Sequence, residues 1–249
     1  GAAAAALSNP YPFERDAAIV AEPTELTPIT ATEGTVMKRL EIRGRAAHAA
    51  SRWRGEDVLP HFERIRAAFE DLEAERSESV THPLYEEYPV PWPIVVGVVE
   101  AGNWASSVPS SLTAEMRFGV APGETVDEVE QQYEEALQAV VEADDWLAEH
   151  PPSFERFSIQ FEPAEIDADE PIVRTLREAM LDAGLPDTDP RGATYGADSR
   201  HYVAAGIPTV VFGPGTIEQA HFPDETIEWA DVAQARETIA ATAVEFLQS

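Results

Sequence analysis

The stretch that decides the fold is Gly206-Ile207-Pro208-Thr209-Val210-Val211-Phe212-Gly213-Pro214-Gly215, followed shortly by Ala220-His221-Phe222-Pro223-Asp224-Glu225. Residues 207–212 form a short apolar run rich in β-branched side chains, with glycine and proline on both sides. This pattern is typical of a buried parallel strand. Ligands of open α/β sheets bind in the loops that follow the carboxyl ends of such strands, so we expect His221 to lie in a functional site.

A second apolar strand is predicted at residues 16–21, and it ends in Glu22-Pro23-Thr24. Glu22 therefore occupies the same kind of position as His221. Each residue alone has an ordinary alternative, because a loop glutamate is usually solvated and a loop histidine is usually structural. Asp224 and Glu225 could orient the imidazole of His221, and together these side chains resemble a metal site made of oxygen and nitrogen donors.

The middle of the chain contains alternating rather than continuously apolar strands. Alternating strands are predicted at residues 36–43, 94–100 and 111–120. Helical spacing begins at Gly55, and a second helix follows Thr125, which forms a capping box with Glu128. The segment 77–93 is rich in proline and is expected not to be helical. A strand at 154–161 and helices at 169–183 and 231–247 follow, with residues 195–200 as a loop. The sequence thus predicts an α/β fold that contains an α+β insert with an antiparallel sheet.

Composition restricts the function classes. The 249 residues include 46 acidic and 17 basic side chains, a net charge of -29, and a single lysine, Lys38. Such a charge repels nucleic acid and anionic membranes, so we expect neither as a partner. It resembles halophilic proteins adapted to a salt-rich cytoplasm, although an ordinary acidic protein remains the alternative.

Further limits come from what the sequence lacks. It contains no cysteine, so thiolate ligands and disulfides are excluded. No apolar run approaches the roughly 20 residues that span a bilayer, and the first residues carry no basic signal region. We therefore expect a soluble cytoplasmic protein. The alanine run at residues 2–6 predicts the end of a helix that begins before residue 1.

Three segments together resemble the M20 metallopeptidase and deacylase family, which includes acetylornithine deacetylase and succinyl-diaminopimelate desuccinylase. Asp16–Thr24 is similar to the family's Glu-Pro-Thr segment, and Gly44-Arg45-Ala46-Ala47-His48-Ala49 to its lid motif. Gly213-Pro214-Gly215 with Ala220-His221 and Glu225 is similar to its C-terminal signature. The resemblance implies a partial zinc-peptidase-like catalytic domain, residues 1–35 and 151–249, with an inserted lid and dimerisation domain, residues 36–150.

The resemblance also implies chemistry. The complete enzyme would carry two divalent metal ions, zinc or cobalt, with Glu22 binding one and His221 the other. His48 would reach the active site of a partner subunit in a homodimer formed through the lid, where it would help to stabilise a tetrahedral oxyanion. The alternative for His48 is a solvated loop histidine.

Substrate-binding residues follow from the same resemblance. Arg117 and Arg200 match positions at which relatives hold a substrate carboxylate, although a surface ion pair is the alternative for each. Asn103 lies near an asparagine that precedes Val-Pro in many relatives, but here the segment Ser106-Ser107-Val108-Pro109 departs from that pattern. Asp198 matches a loop aspartate whose role stays open.

Two elements of the family's N-terminal half are missing. None of the six histidines begins a His-x-Asp motif. The pairs Glu86-Glu87 and Glu134-Glu135 fall in a proline-rich loop and in a predicted lid helix, which is the wrong context for the family's catalytic pair. We therefore expect the chain to start just after that pair, and to show weak metal affinity and no hydrolysis by itself.

The predicted function is a metal-dependent amidohydrolase that removes the acyl group from a small-molecule N-acyl amino acid resembling acetylornithine. Two alternatives remain open. One is a non-catalytic dimerisation or binding module built on the M20 fold. The other is an M20 dipeptidase.

Overall fold

The computed structural model describes residues 14–220 and 222–249. The predicted helix end at residues 2–6 and the candidate ligand His221 lie outside this part of the chain. The chain divides into two compact units. The terminal unit contains the residues up to Glu33, Pro83–Glu87 and Glu162–Ser249, and the middle unit contains Gly34–His82 and Tyr88–Phe161.

The described elements follow in chain order. The strands are β1 (Ala18–Val20), β2 (Ile29–Thr32), β3 (Gly34–Arg43), β4 (Ile94–Ala101), β5 (Ser111–Val120), β6 (Ser153–Arg156), β7 (Ala164–Glu165), β8 (Arg191–Ala193) and β9 (Thr209–Val211). The helices are α1 (Val58–Ser79), α2 (Val126–Glu142), α3 (Asp145–Glu149), α4 (Pro171–Asp182), α5 (Ser199–Ala204) and α6 (Trp229–Phe246). Within the described residues, no helix is both long enough and apolar enough to cross a bilayer.

The terminal unit contains a mixed five-stranded sheet, in which β9 lies between β1 and β2. Strand β9 runs parallel to β1 and antiparallel to β2, so the predicted parallel strand is parallel to one neighbour only. Val210 packs in the core formed with α4 and α6, whereas Val211 packs in a second core with Ile29. Burial on both faces explains why this segment is a continuous apolar run rather than an alternating one.

Helix α4 buries a stripe that runs through Ile172, Leu176 and Met180, whereas Leu181 is 59% exposed. The segment expected as a loop at residues 195–200 includes the start of α5 at Ser199. A six-residue helix is too short for a hydrophobic period to reveal it.

The middle unit contains a four-stranded antiparallel sheet in the order β4-β5-β3-β6. Strands β3 and β5 pair over ten consecutive residues, from Gly34 opposite Val120 to Arg43 opposite Ser111. Helices α1 and α2 contribute to the same core as the alternate apolar residues of these strands. The strands predicted at 36–43, 94–100 and 111–120 and the capping box of Thr125 with Glu128 at the start of α2 are confirmed. The strand predicted at 154–161 is shorter, because β6 ends at Arg156.

Two buried basic side chains of the middle unit depart from the rule that charged residues are exposed. Helix α1 continues to Ser79, inside the segment expected to lack helix, and buried Arg76 near its end bonds Glu124 and Gln132 at 2.8 Å. The only lysine, Lys38, lies on the buried face of β3, where its ammonium group bonds Glu134 at 2.8 Å and also Glu130. Paired carboxylates allow these charged residues to occupy core positions.

Candidate functional site

The segments that follow β1 and β9 are joined by hydrogen bonds. The hydroxyl of Thr24 donates to the carbonyl of Gly213 at 3.2 Å and accepts the Gly213 N–H at 3.1 Å. The backbone N–H groups of Glu25 and Leu26 donate to Gly215 and Gly213, at 2.8 and 3.0 Å. The Glu-Pro-Thr and Gly-Pro-Gly segments, nearly 190 positions apart, therefore form one structural element.

Gly213 is required by this close approach. A Cβ atom at this position would lie 2.4 Å from the backbone oxygen of Glu22. Any larger residue would have to displace the backbone of Glu22 or that of residue 213. The glycine thus sets the position of the candidate ligand through backbone contact alone.

The loop before α5 meets the same edge of the sheet. The Tyr195 hydroxyl donates to the carbonyl of Pro23 at 3.3 Å. Burial raises the pKa of the Glu22 carboxyl, and the negative charge of Asp198 raises it further. Two carboxylates thus lie close enough to repel each other beside the carboxyl end of β1.

Arg200 lies next to this pair. Its guanidinium group is 3.7 Å from the Asp198 carboxylate and donates to the carbonyl of Ala197 at 3.1 Å. The side chain is only 11% exposed. Burial lowers the pKa of Arg200, although the charge of Asp198 opposes this effect. The sequence left Asp198 without a role, and the structure places its carboxylate near Glu22, 3.7 Å from Arg200 and 3.9 Å from His201.

A cavity of about 320 Å³ opens beside these segments. Its lining includes Pro23, Gly215, Gln219, Ala220 and Ile227. The side-chain oxygen of Gln219 accepts from both the N–H and the hydroxyl of Thr226, at 3.0 and 3.1 Å, and so links these two positions.

The described residues fit one side of a divalent cation site. Glu22 and Asp198 offer carboxylate oxygens, and a cation between them would relieve the repulsion that raises the pKa of Glu22. Among residues 14–220 and 222–249, no group of three histidine, aspartate or glutamate side chains has the arrangement of a metal site. The relation of Asp224 and Glu225 to the His221 ring stays a prediction, and both carboxylates are exposed.

The middle unit holds His48 at a loop near one end of its sheet. His48 is exposed, and its Nδ1 accepts the backbone N–H of Ala50 at 3.1 Å. The strand-like segment around His48 pairs with residues 106–108, through bonds of 2.9 Å from Ala49 to Ser106 and from Val108 to Ala47. The neighbouring turn carries Asn103, which is also exposed.

Arg117 occupies a different place in this unit. It lies on β5 opposite Met37 of β3, on the face turned away from the helices, and its guanidinium group donates to the carbonyl of Pro93 at 3.4 Å. The structure thus brings together Glu22, Asp198 and Arg200 in one unit and the loops of His48 and Asn103 in the other. The assigned roles of these residues remain proposals.

Comparison with known proteins gives a consistent result. Acetylornithine deacetylase of Myxococcus xanthus is 27% identical over 236 residues, which cover 92% of this chain and 57% of that protein. N-formyl-4-amino-5-aminomethyl-2-methylpyrimidine deformylase of Halalkalibacterium halodurans is 25% identical over 224 residues, 87% of this chain and 50% of that protein. The chain thus spans about half the length of the curated relatives that it matches.

Solved structures share the fold. The crystal structure of aminopeptidase PepT from Bacillus cereus matches with a TM-score of 0.66 and 16% sequence identity, over 93% of this chain and 57% of that one. The model of the peptidase family M20/M25/M40 matches residues 3–245. A match over nearly the whole chain, together with the order of the three motif segments, identifies it: the chain belongs to peptidase family M20/M25/M40.

Proposed function

We propose that this chain forms part of a metal-dependent amidohydrolase that removes the acyl group from a small N-acyl amino acid resembling acetylornithine. The observation that carries the proposal is the convergence of Glu22, Asp198 and Arg200 where the segments after β1 and β9 are joined. The names of the two relatives described above both state that an acyl group, acetyl or formyl, is removed. The chemistry common to these names is cleavage of an amide between a small acyl group and a nitrogen.

Glu22 and His221 are the residues of this chain that we assign to metal binding. Two divalent ions, when bound, polarise a scissile carbonyl and lower the pKa of water, which is the chemistry that amide hydrolysis needs. Asp198 supplies negative charge beside Glu22. The two hydrogen bonds between Thr24 and Gly213 fix the backbone next to Glu22. We propose that the complete site takes further donors besides Glu22 and His221.

Arginine side chains are suited to the carboxylate of an amino acid substrate. Arg200 is nearly buried, and its guanidinium group lies 3.7 Å from the Asp198 carboxylate beside Glu22. We assign Arg200 to the substrate carboxylate, with Arg117 and Asn103 of the middle unit as further substrate contacts. A guanidinium group can bind a carboxylate through two parallel hydrogen bonds.

His48 is suited to donate a hydrogen bond to a developing oxyanion. Because its Nδ1 accepts a backbone N–H, the neutral ring carries its proton on Nε2. An exposed Nε2–H is the donor that oxyanion stabilisation requires. We propose that this donor serves the active site of the partner subunit in a homodimer.

The middle unit offers a surface for that homodimer. Strand β4 lies at the edge of the sheet, and Val95, Val98 and Val99 on it are each 43–48% exposed. An exposed apolar edge strand is a template for pairing with a second copy. We propose that two copies associate through this strand.

The experiment that tests the function is a hydrolysis assay, with added cobalt or zinc, on the complete enzyme that contains residues 1–249. The substrates are N-acetylornithine, an N-formyl amine and a dipeptide. We expect N-acetylornithine to be cleaved, and Glu22→Gln and His221→Ala to lower kcat/KM by at least about 100-fold, because each removes a metal ligand. Glu245→Gln, an exposed carboxylate on α6, is the matched control and should leave the rate unchanged.

The outcomes separate the alternatives. Faster cleavage of the dipeptide would favour a dipeptidase. Absence of any amide hydrolysis, with cobalt bound equally by the original protein and by Glu22→Gln, would refute the proposal and favour a binding module. Residues 1–249 alone should show weak metal binding and no turnover, and clear turnover that His221→Ala abolishes would refute the need for further donors.

A further inference from the structure

The loop that carries His48 is closed at its base. The N–H of Arg45 donates to the carbonyl of Glu56 at 3.0 Å, and the N–H of Glu56 donates back to Arg45 at 2.8 Å. A Cβ atom on Gly44 would lie 2.3 Å from the same Glu56 carbonyl, so the two backbones are in close contact. We call residues 44–56 the His48 loop and the Arg45–Glu56 pair its neck.

A buried histidine lies against the neck. His61, on the first turns of α1, is 4% exposed. Its Nε2 is 3.0 Å from the Glu56 carboxylate, and its Nδ1 is 2.9 Å from the Asp144 carboxylate. Arg64 also approaches, with a guanidinium nitrogen 2.7 Å from the His61 Nδ1.

The proton positions allow two arrangements with one contact in common. If His61 is charged, both ring nitrogens donate, one to Glu56 and one to Asp144. If His61 is neutral, Arg64 donates to Nδ1, and the remaining proton lies on Nε2. In both arrangements the Nε2–H group donates to Glu56, so this hydrogen bond does not depend on the charge of the ring.

The same cluster holds the strand that enters the loop. Asp144 caps α3 by accepting the N–H groups of Trp146 and Leu147, both at 3.0 Å. The indole N–H of Trp146 donates to the carbonyl of Arg43, the residue just before the His48 loop, at 2.9 Å. The guanidinium group of Arg45 lies over the Trp146 ring at 4.9 Å.

These contacts form a closed circuit around the base of the loop. From the neck, the Glu56 side chain contacts His61, and His61 contacts Asp144. Asp144 accepts the backbone N–H of Trp146, and the indole N–H of Trp146 donates to the Arg43 carbonyl beside the neck. His61 is the only ring in the circuit that contacts carboxylates on both sides among the described residues. Removing it breaks the side-chain link between Glu56 and Asp144 and takes the ring donor from Glu56, whereas Asp144 keeps its contact with Arg64.

We propose that His61 is a positioning residue for His48, which acts by holding the neck of the His48 loop through the Nε2–H bond to Glu56. The catalytic consequence rests on the proposed function of His48 as an oxyanion donor. The structural link itself does not, because it concerns only the conformation of the loop. His61 would thus set the direction of the His48 Nε2–H group without contacting substrate.

Amide hydrogen exchange at Ala50 tests this link, because that N–H donates to the His48 ring and reports its position. Two variants of the chain are compared, His61→Leu and His61→Gln. The leucine removes the donor, whereas the glutamine amide can place an N–H where the Nε2–H was. We expect exchange at Ala50 to quicken at least about tenfold in His61→Leu, and to stay within about threefold of the original protein in His61→Gln.

Two measurements keep the result specific. Val129→Ala removes packing from α2 at the end far from the Asp144 cap, and should destabilise the same unit without quickening exchange at Ala50 to the same degree. Nitrogen NMR should show the His48 proton on Nε2 in the original protein and in His61→Gln, and a mixture of tautomers in His61→Leu.

Three results would overturn the inference. They are unchanged Ala50 exchange in His61→Leu, equal exchange in the leucine and glutamine variants, and equal quickening in Val129→Ala. Neither readout measures hydrolysis, so failure of the proposed function would leave this test intact. Failure of this test would likewise leave the proposed hydrolase untouched.

Discussion

Replacing Gly213 with alanine should displace the candidate metal ligand Glu22. A Cβ atom at residue 213 would lie 2.4 Å from the Glu22 carbonyl oxygen, whereas ordinary contacts of this kind begin at 3.4 Å. The two backbones must therefore separate by about 1 Å. They cannot do so freely, because Thr24 and Leu26 are bonded to Gly213 through four hydrogen bonds between 3.0 and 3.3 Å.

The expected cost follows from the size of this clash. Forcing one extra methyl group into a packed site costs about 1–3 kcal/mol of folding free energy. Because the hydrogen bonds of Thr24 would also be stretched, we expect a cost in the upper part of that range. For a protein of this length, a loss of 1 kcal/mol lowers Tm by roughly 2–4 °C. We expect Gly213→Ala to lower the Tm of the terminal unit by about 3–10 °C and to weaken cobalt binding.

Calorimetry and cobalt titration measure these effects. Gly97→Ala is the matched control, because a Cβ atom at residue 97 would meet nothing within 4 Å. That variant should keep the Tm within about 1 °C, since surface changes of this kind cost little. The steric argument would be refuted if Gly213→Ala had the same Tm as the original protein and bound cobalt equally well.

Three further predictions concern the middle unit and the charge of the chain. Burial alone would raise the pKa of Asp144, but the Leu147 N–H, His61 and Arg64 outweigh it and hold that pKa below its usual range. The ionised carboxylate thus stabilises the fold above the unfolded pKa of about 4, and this stability is lost as the pH falls through the lower folded pKa. Urea unfolding between about pH 5 and pH 2 should therefore show a smaller acid loss in Asp144→Asn than in the original protein or in Asp182→Asn, and parallel curves would contradict this sign. With a net charge of -29, the protein should melt at a higher temperature as potassium chloride rises from dilute to molar concentration, and a Tm highest in dilute buffer would exclude adaptation to salt. Val99→Lys on the exposed face of β4 should shift a dimer to monomer in light scattering, whereas Glu100→Lys beside it is the control for added positive charge.

The sequence by itself determined the elements whose pattern is local. Strands β3 and β5 alternate over most of their length, and the capping box at Thr125 marks the start of α2, so hydrophobic period and cap chemistry were sufficient. Strand β9 was recognisable because burial on both faces makes it continuously apolar. The family was recognisable because its motifs are short, ordered segments of the chain.

Tertiary structure alone decided which distant residues meet. Nothing in the local pattern of Thr24 shows that it bonds Gly213, or that Asp198 lies near enough to raise the pKa of Glu22. His61 sits within a helical stretch whose apolar spacing conceals its contacts with Glu56 and Asp144, the latter 83 positions away. Hydrophobic periodicity reports which face of an element is buried, but the partners of a buried polar group depend on chain crossings that bring remote segments within hydrogen-bond distance.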